Sequence, residues 1–250
     1  MKAKYYDILS DFYDTRFDGQ YASDNEYRDL AKLKRAIDKS IFHLKLSQNG
    51  HKKTLLIRYT LNKINVLIRS TPEKTRKIKR LLDQVKGWIE KNADAYSSLR
   101  RDYCLSAAWY YTLSNPCKET AEEYCRLGMQ ITRKICPTEL EFIDRIAIPY
   151  ANMMAEFSDL DQAKEILLAS VRSCSAYPAM LPYIRKKMDL FGYLLEVCYF
   201  AGNPEDCRKV IAYIEHERAL NQEYELQTDI PEEIREFVST NPENKNTNIY

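Results

Sequence analysis

Glycine is scarce in this chain: there are only six in 250 residues, scattered along the sequence. A phosphate-binding loop needs several closely spaced glycines, so the sequence offers no candidate for one. Long apolar runs are missing as well. No stretch approaches the roughly 18–20 uninterrupted apolar residues that cross a bilayer. We therefore expect no nucleotide-type cofactor and no membrane partner.

Histidine is rarer still, and His43, His51 and His216 have no Cys, His or carboxylate at a repeating ligand spacing. The seven Cys are odd in number and include no CxxC pair. This favours reduced thiols in a cytoplasmic protein over a disulfide framework or a metal site. The sequence thus indicates no catalytic residue, no metal and no cofactor, and predicts a protein that is not an enzyme.

What the sequence does contain is helical periodicity, interrupted by joints at a constant spacing. The four joints are Thr71-Pro72, Asn115-Pro116, Asp159-Leu160 and Asn203-Pro204, each 44 residues after the previous one. Between them, apolar residues recur at spacings of three and four. This periodicity predicts helices over about 4–17, 25–46, 52–69, 72–92, 96–113, 116–135, 139–157, 160–174, 182–200, 204–223 and 231–238.

A repeat of this length predicts an all-α fold in which helix hairpins stack on one another. We expect a right-handed superhelical solenoid of about five antiparallel hairpins over residues 1–228, followed by a short helix and a polar tail in 229–250. The second helices align on rows of small or apolar residues. These rows are Ile78/Leu82/Val85, Ala121/Cys125/Gly128, Ala163/Leu167/Ser170 and Cys207/Ile211/Ile214, with an earlier copy at Ala36/Ser40/His43.

The last two copies resemble the tetratricopeptide repeat family. The residues that carry the resemblance are Tyr150-Ala151, Asp159 and Ala163-x3-Leu167-x2-Ser170, then Leu194-Leu195, Gly202-Asn203-Pro204 and Cys207-x3-Ile211-x2-Ile214. The resemblance covers residues 52–220 well and 4–48 loosely. The chain departs from the family's pattern because its period is 42–44 residues, and because the family's Trp-x2-Leu-Gly and closing Pro are absent. Its long helices resemble the tetratricopeptide-like sensor domains of bacterial regulators.

In that family, the first helix of each hairpin lines a concave groove that contacts peptides. The resemblance therefore implies a non-catalytic, regulatory scaffold that binds a protein or peptide in such a groove. The candidate groove residues are a mixture of polar, charged and aromatic side chains, as a recognition surface requires. They are Asn62, Lys63, Asn65, Tyr103, Ser106, Tyr110, Arg145, Asn152, Asp189, Glu196 and Tyr199.

Charge is unevenly distributed although the net charge is only +2. Residues 51–100 hold 13 Lys and Arg against 4 Asp and Glu, whereas residues 201–250 hold 5 against 11. A basic middle and an acidic end could join copies of the chain into a homo-oligomer. The near-neutral total and the single aromatic among the cations, Tyr59, argue against nucleic-acid binding through the basic segment. An alternative function is a sensory or oligomerisation module of a larger bacterial regulator, such as a kinase or transcription factor.

Overall fold

Helices make up most of the computed structural model, which describes residues 30–46, 52–91, 97–136, 138–224, 226 and 228–241. These parts of the chain contain no strand. We number the helices in chain order. They are α1 (Leu30–Leu46), α2 (Lys52–Ser70), α3 (Thr75–Glu90), α4 (Ser97–Trp109, continued by a π-helical segment, Tyr110–Ser114), α5 (Lys118–Ile135), α6 (Glu139–Phe142, a π-helical segment Ile143–Ala147, and Ile148–Glu156), α7 (Leu160–Ser175), α8 (Leu181–Phe200), α9 (Pro204–Leu220) and α10 (Glu232–Thr240).

A helix ends and the next one begins at each of the four predicted joints. At the third joint the Asp159 carboxylate accepts a hydrogen bond from the backbone N–H of Gln162 at 3.1 Å, and at the fourth the Asn203 side-chain oxygen accepts one from the N–H of Asp206 at 3.0 Å. Both bonds satisfy a donor that the first helical turn leaves open. Gly202 has a φ of +65°, the left-handed conformation that favours glycine after a helix.

The chain divides into two compact units, Met1–Ile135 and Cys136–Tyr250. In the first unit, buried apolar side chains of α2, α3, α4 and α5 form one core. On α3 the core-facing residues are Ile78, Leu82, Val85 and Ile89, spaced by four, three and four so that they share one face of the helix. A smaller cluster, made of Ile37, Leu44, Tyr59 and Val66, joins α1 to α2.

In the second unit, α6 packs against α7 and α8 packs against both α7 and α9. Two ion pairs cross between hairpins. Lys164 on α7 pairs with Asp206 on α9, and Lys186 on α8 pairs with Asp144 on α6 at 2.8 Å. The first helices of successive hairpins are therefore neighbours, and so are the second helices. This is the arrangement that a repeat produces when hairpins stack in parallel.

The all-α prediction is confirmed for the described residues, and the described helices agree with the predicted ones to within a few residues; the predicted start of the second helix, residues 25–29, lies outside the described residues. The predicted helix over 4–17 lies outside the described residues. The superhelical arrangement stays a prediction. The chain divides at 135/136, and α10 belongs to the second unit. No described helix is both long enough and apolar enough to cross a membrane.

Candidate functional site

Three of the six predicted groove residues in the first unit, all on α4, are buried. Tyr103 and Tyr110 belong to its main hydrophobic core, and Ser106 is 1% exposed. Burial of these side chains leaves almost none of their surface for a partner. The sequence predicted that this face of α4 lines a groove. In the structure the same face packs against the neighbouring helices.

The predicted residues of α2 lie beside α1 and α3. The Lys63 ammonium forms an ion pair with Asp38 of α1, and its side chain is only 19% exposed. Partial burial and the nearby positive charges of Lys63 and Lys34 lower the pKa of Lys77, so these ammonium groups from three helices lie close together. Asn62 and Asn65, on the same helix, are half-buried.

Sequence reasoning missed a small polar cavity in the first unit, with a volume of about 50 Å³. Its lining comprises Lys79, Leu82, Asp83, Lys86, Tyr103, Ala107, Tyr111 and Tyr124. The rings of Tyr111 and Tyr124 stack at 5.9 Å, and Tyr103 meets Tyr124 edge-on at 6.0 Å. Lys79 pairs with Asp83 at 2.5 Å, a bond that raises the pKa of Lys79. The cavity has room for a few water molecules, and its charges are already paired, so it lacks the character of a ligand site.

The second unit presents the predicted positions on its surface. Arg145 and Asn152 on α6 and Asp189 and Glu196 on α8 are exposed. Tyr199 is the exception, because its ring meets Phe237 of α10 edge-on at 5.3 Å. Four of the five predicted residues in this unit thus lie on exposed faces of two neighbouring helices.

Lys186 connects these two helices and was not predicted. Its ammonium pairs with Asp144 of α6 at 2.8 Å and with Asp189 of α8 at 3.0 Å. Although burial opposes the charged form, the two hydrogen bonds raise the pKa of Lys186, so its ammonium is charged at neutral pH. One cation thus holds a carboxylate from each helix in a fixed position.

Tyr193 completes this surface and was also missed. Its side chain is 38% exposed on α8. Tyr193 lies four residues after Asp189 and three before Glu196 on α8, so the three side chains share one face of the helix. Burial raises the pKa of Tyr193 although the positive charge of Lys186 opposes this, and the negative charges of Asp189 and Glu196 add to the increase. A partly exposed Tyr beside fixed charges is a typical anchor for binding. We call Asp144, Arg145, Asn152, Lys186, Asp189, Tyr193 and Glu196 the α6–α8 surface.

The described residues contain no group of three His, Cys, Asp or Glu side chains positioned to hold a metal ion. Five of the seven thiols are buried, at Cys104, Cys125, Cys174, Cys198 and Cys207. Burial raises the pKa of Cys104 and of Cys125 to about 12, which keeps these thiols protonated and unreactive.

Comparison of the chain with protein-family models finds no match, and comparison with curated proteins finds none either. The resemblance to tetratricopeptide repeats therefore stays a prediction from the residues quoted above.

Proposed function

We propose that this protein is a non-catalytic scaffold that binds a segment of another protein on the α6–α8 surface. The observation that carries the proposal is the Lys186 bridge between Asp144 of α6 and Asp189 of α8, together with the exposed Tyr193 on the same face of α8 as Asp189. Because Lys186 holds Asp144 and Asp189 in ion pairs, these side chains lose less conformational entropy when the surface binds a partner.

The expected partner is a peptide segment with basic and aromatic residues. Of the charged groups on the surface, three are carboxylates, Asp144, Asp189 and Glu196, and two are cations. Because Lys186 is engaged by its two carboxylates, Arg145 is left as the cation for an acidic or carbonyl group of the partner. The Asn152 amide can donate to and accept from a peptide backbone.

The test is selection of binders from a displayed library of random peptides, followed by affinity measurements by fluorescence polarisation. Charge reversal by Arg145→Glu, and separately Tyr193→Ala, should each weaken a selected peptide at least about tenfold, as hot-spot truncation does. Arg172→Glu is the matched control, because Arg172 is an exposed cation of the same unit on α7. If the native protein and the Arg145 and Tyr193 variants bind the peptide equally, the α6–α8 surface is not the binding site.

Lys63 is a poorer position for the same experiment. Its ammonium pairs with Asp38, so charge reversal there would set two carboxylates against each other and destabilise the first unit. A loss of binding would then be ambiguous. The variants are therefore confined to exposed residues of the second unit, and circular dichroism should show unchanged helicity for each of them.

A further inference from the structure

Four cations at the start of α3 have no ionic partner among the described residues. Lys74, Arg76, Lys77 and Arg80 are all exposed, and none forms an ion pair with a described residue. Two other lysines of the same helix do form ion pairs: Lys79 pairs with Asp83 and Lys86 pairs with Glu90. The positive charge of α3 is therefore concentrated in its first half.

Neighbouring helices add to this charge instead of cancelling it. Lys34 of α1 and Lys63 of α2 lie close enough to Lys77 to lower its pKa, after the effect of partial burial. The one carboxylate in the group, Asp38, is already paired with Lys63. The first turn of α3 has no acidic residue and no side-chain cap, and the nearest carboxylate in the sequence, Glu73, lies just before the N-cap. We call Lys34, Lys74, Arg76, Lys77 and Arg80 the basic surface.

The second unit has the opposite imbalance at its C-terminal end. Five exposed carboxylates form no ion pair with a described residue, and we call them the acidic surface: Glu215, Asp229, Glu232, Glu233 and Glu236. Two nearby guanidinium groups are occupied by backbone carbonyls. Arg218 donates to the oxygen of Thr228 at 2.5 Å, and Arg208 donates to that of Asn241 at 2.7 Å.

We propose that the basic surface of one molecule binds the acidic surface of a second copy, so that the protein self-associates head to tail. The four exposed cations at the start of α3 and the five exposed carboxylates of the second unit all lack an ion pair with a described residue, and charge complementarity of this kind sets both partner choice and association rate. The contact joins two different surfaces, so each copy keeps one free surface of each sign and the chain of copies can grow.

A nucleic acid fits the basic surface less well than a second copy does. Tyr59, the aromatic residue that lies among these cations in the sequence, is 3% exposed and packs in the cluster between α1 and α2. Its ring is therefore not available to stack on a base. The chain's net charge is only +2, which gives little long-range attraction for a polyanion.

The experiment is analytical ultracentrifugation of the full chain at two protein concentrations and two salt concentrations. At about 0.01 M salt the Debye length is about 30 Å and at about 1 M it is about 3 Å, so association between charged surfaces should appear only in the first condition. We expect species above 29.4 kDa that grow with protein concentration at low salt, and monomer at high salt. A monomer in all four conditions overturns the proposal, as does a monomer that instead retains a random DNA duplex.

Neutral variants separate the two surfaces. Lys74→Gln/Arg76→Gln/Lys77→Gln/Arg80→Gln should weaken self-association at least about tenfold, since four exposed pairs are lost. We expect the same loss from the acidic variant, Asp229→Asn/Glu232→Gln/Glu233→Gln/Glu236→Gln. A smaller loss is expected from Glu215→Gln/Asp229→Asn, which leaves α10 unaltered. The control Lys86→Gln/Arg126→Gln/Arg133→Gln/Lys134→Gln removes as much charge from other faces of the first unit and should associate like the native protein.

Mixing the two neutral variants gives the sharpest result. The variant with the neutral basic surface keeps its acidic surface, and the other keeps its basic surface. Equimolar mixing should therefore form a complex of two chains and nothing larger, because each altered surface keeps only one of its five charges, Lys34 or Glu215. A mixture that stays monomeric, or that forms the same larger species as the native protein, would refute the head-to-tail contact.

Discussion

Lys164 and Asp206 are 42 residues apart in the sequence, yet their side chains form an ion pair between α7 and α9. The row of small residues steps by 44 from α7 to α9, so the two partners differ by two positions within their repeats. Asp206 also accepts a hydrogen bond from the side-chain amide of Asn203 at 3.0 Å, and Asn203 caps α9. The contact between successive hairpins is thus joined directly to the residue that starts the later one.

Replacing Asp206 by Asn should lower the free energy of unfolding by about 1 kcal/mol at pH 7, the upper end for partly exposed ion pairs. The hydrogen bond from Lys164 lowers the pKa of Asp206 below its ordinary value of 3.8. A lowered pKa stabilises the folded state above 3.8, and this stability is lost as the pH falls through the folded pKa. The difference between the two proteins should therefore shrink at acidic pH, as measured by urea unfolding followed by circular dichroism.

Glu205→Gln is the control for that measurement. Glu205 pairs with Lys209 on its own helix and is exposed, so its removal should leave the midpoint of urea unfolding nearly unchanged. A pH-independent gap between native protein and the Asp206 variant would contradict the ion-pair explanation.

Asp159→Ala should destabilise the protein by about 1 kcal/mol, the typical value of a lost helix cap. The residue would no longer accept the hydrogen bond from Gln162 that begins α7. Asp159→Ser should restore most of the lost stability, because a hydroxyl can accept the same bond. Asp161→Ala serves as control, since Asp161 lies in the first turn of α7 but is not the cap.

Leu82→Ala should cost about 2–5 kcal/mol through lost burial and an empty cavity. Leu82 is 2% exposed in the core of the first unit. Both tryptophans, Trp88 and Trp109, pack against that core, so their fluorescence during urea unfolding follows this unit. Gln84→Ala, an exposed change on the same helix, should leave the fluorescence midpoint in place. Equal midpoints for the two variants would contradict the assigned face of α3.

Alkylation should distinguish the cysteines. Cys117 and Cys136 are partly exposed, whereas Cys104 and Cys125 are buried with a pKa of about 12. At pH 8 only about one in ten thousand of the latter two is a thiolate, even before access is considered. Mass spectrometry after brief iodoacetamide treatment should find label on Cys117 and Cys136 first, and on all seven after denaturation. Early label on Cys104 would show that the first unit opens readily.

The helices and their joints were predictable because the signals are local. Asp159 and Asn203 are cap residues, and rows such as Ile78/Leu82/Val85 mark a buried face at the spacing of a helical turn. The π-helical segments carried no such signal. A π turn adds a residue to the turn, so later side chains rotate by about 100° from where α-helical counting puts them.

This rotation bears on the predicted groove residues. Tyr110 begins the π segment of α4 and is buried, while Arg145 lies inside the π segment of α6 and is exposed. Both positions were predicted by carrying the alignment of the second-helix rows over to the first helices, with α-helical spacing along each helix. Lys186 was missed for another reason, since its importance comes from its pairing with Asp144 on a neighbouring helix, which no local pattern reports. Tyr193 shares its helix face with Asp189 and Glu196 and was missed although that spacing is visible in the sequence.

The stability of α10 depends on α9 through Arg208. A helix as short as α10, nine residues from Glu232 to Thr240, does not persist alone in water. It is held by Arg208 of α9, whose guanidinium meets the carbonyls of Val238 and Asn241 at its end. Any local unfolding of α9 should therefore unfold α10 as well. The rate of amide hydrogen exchange in α10 then reports on the stability of α9. The molecule can present the carboxylates of α10 in a fixed array only while the preceding helix is intact.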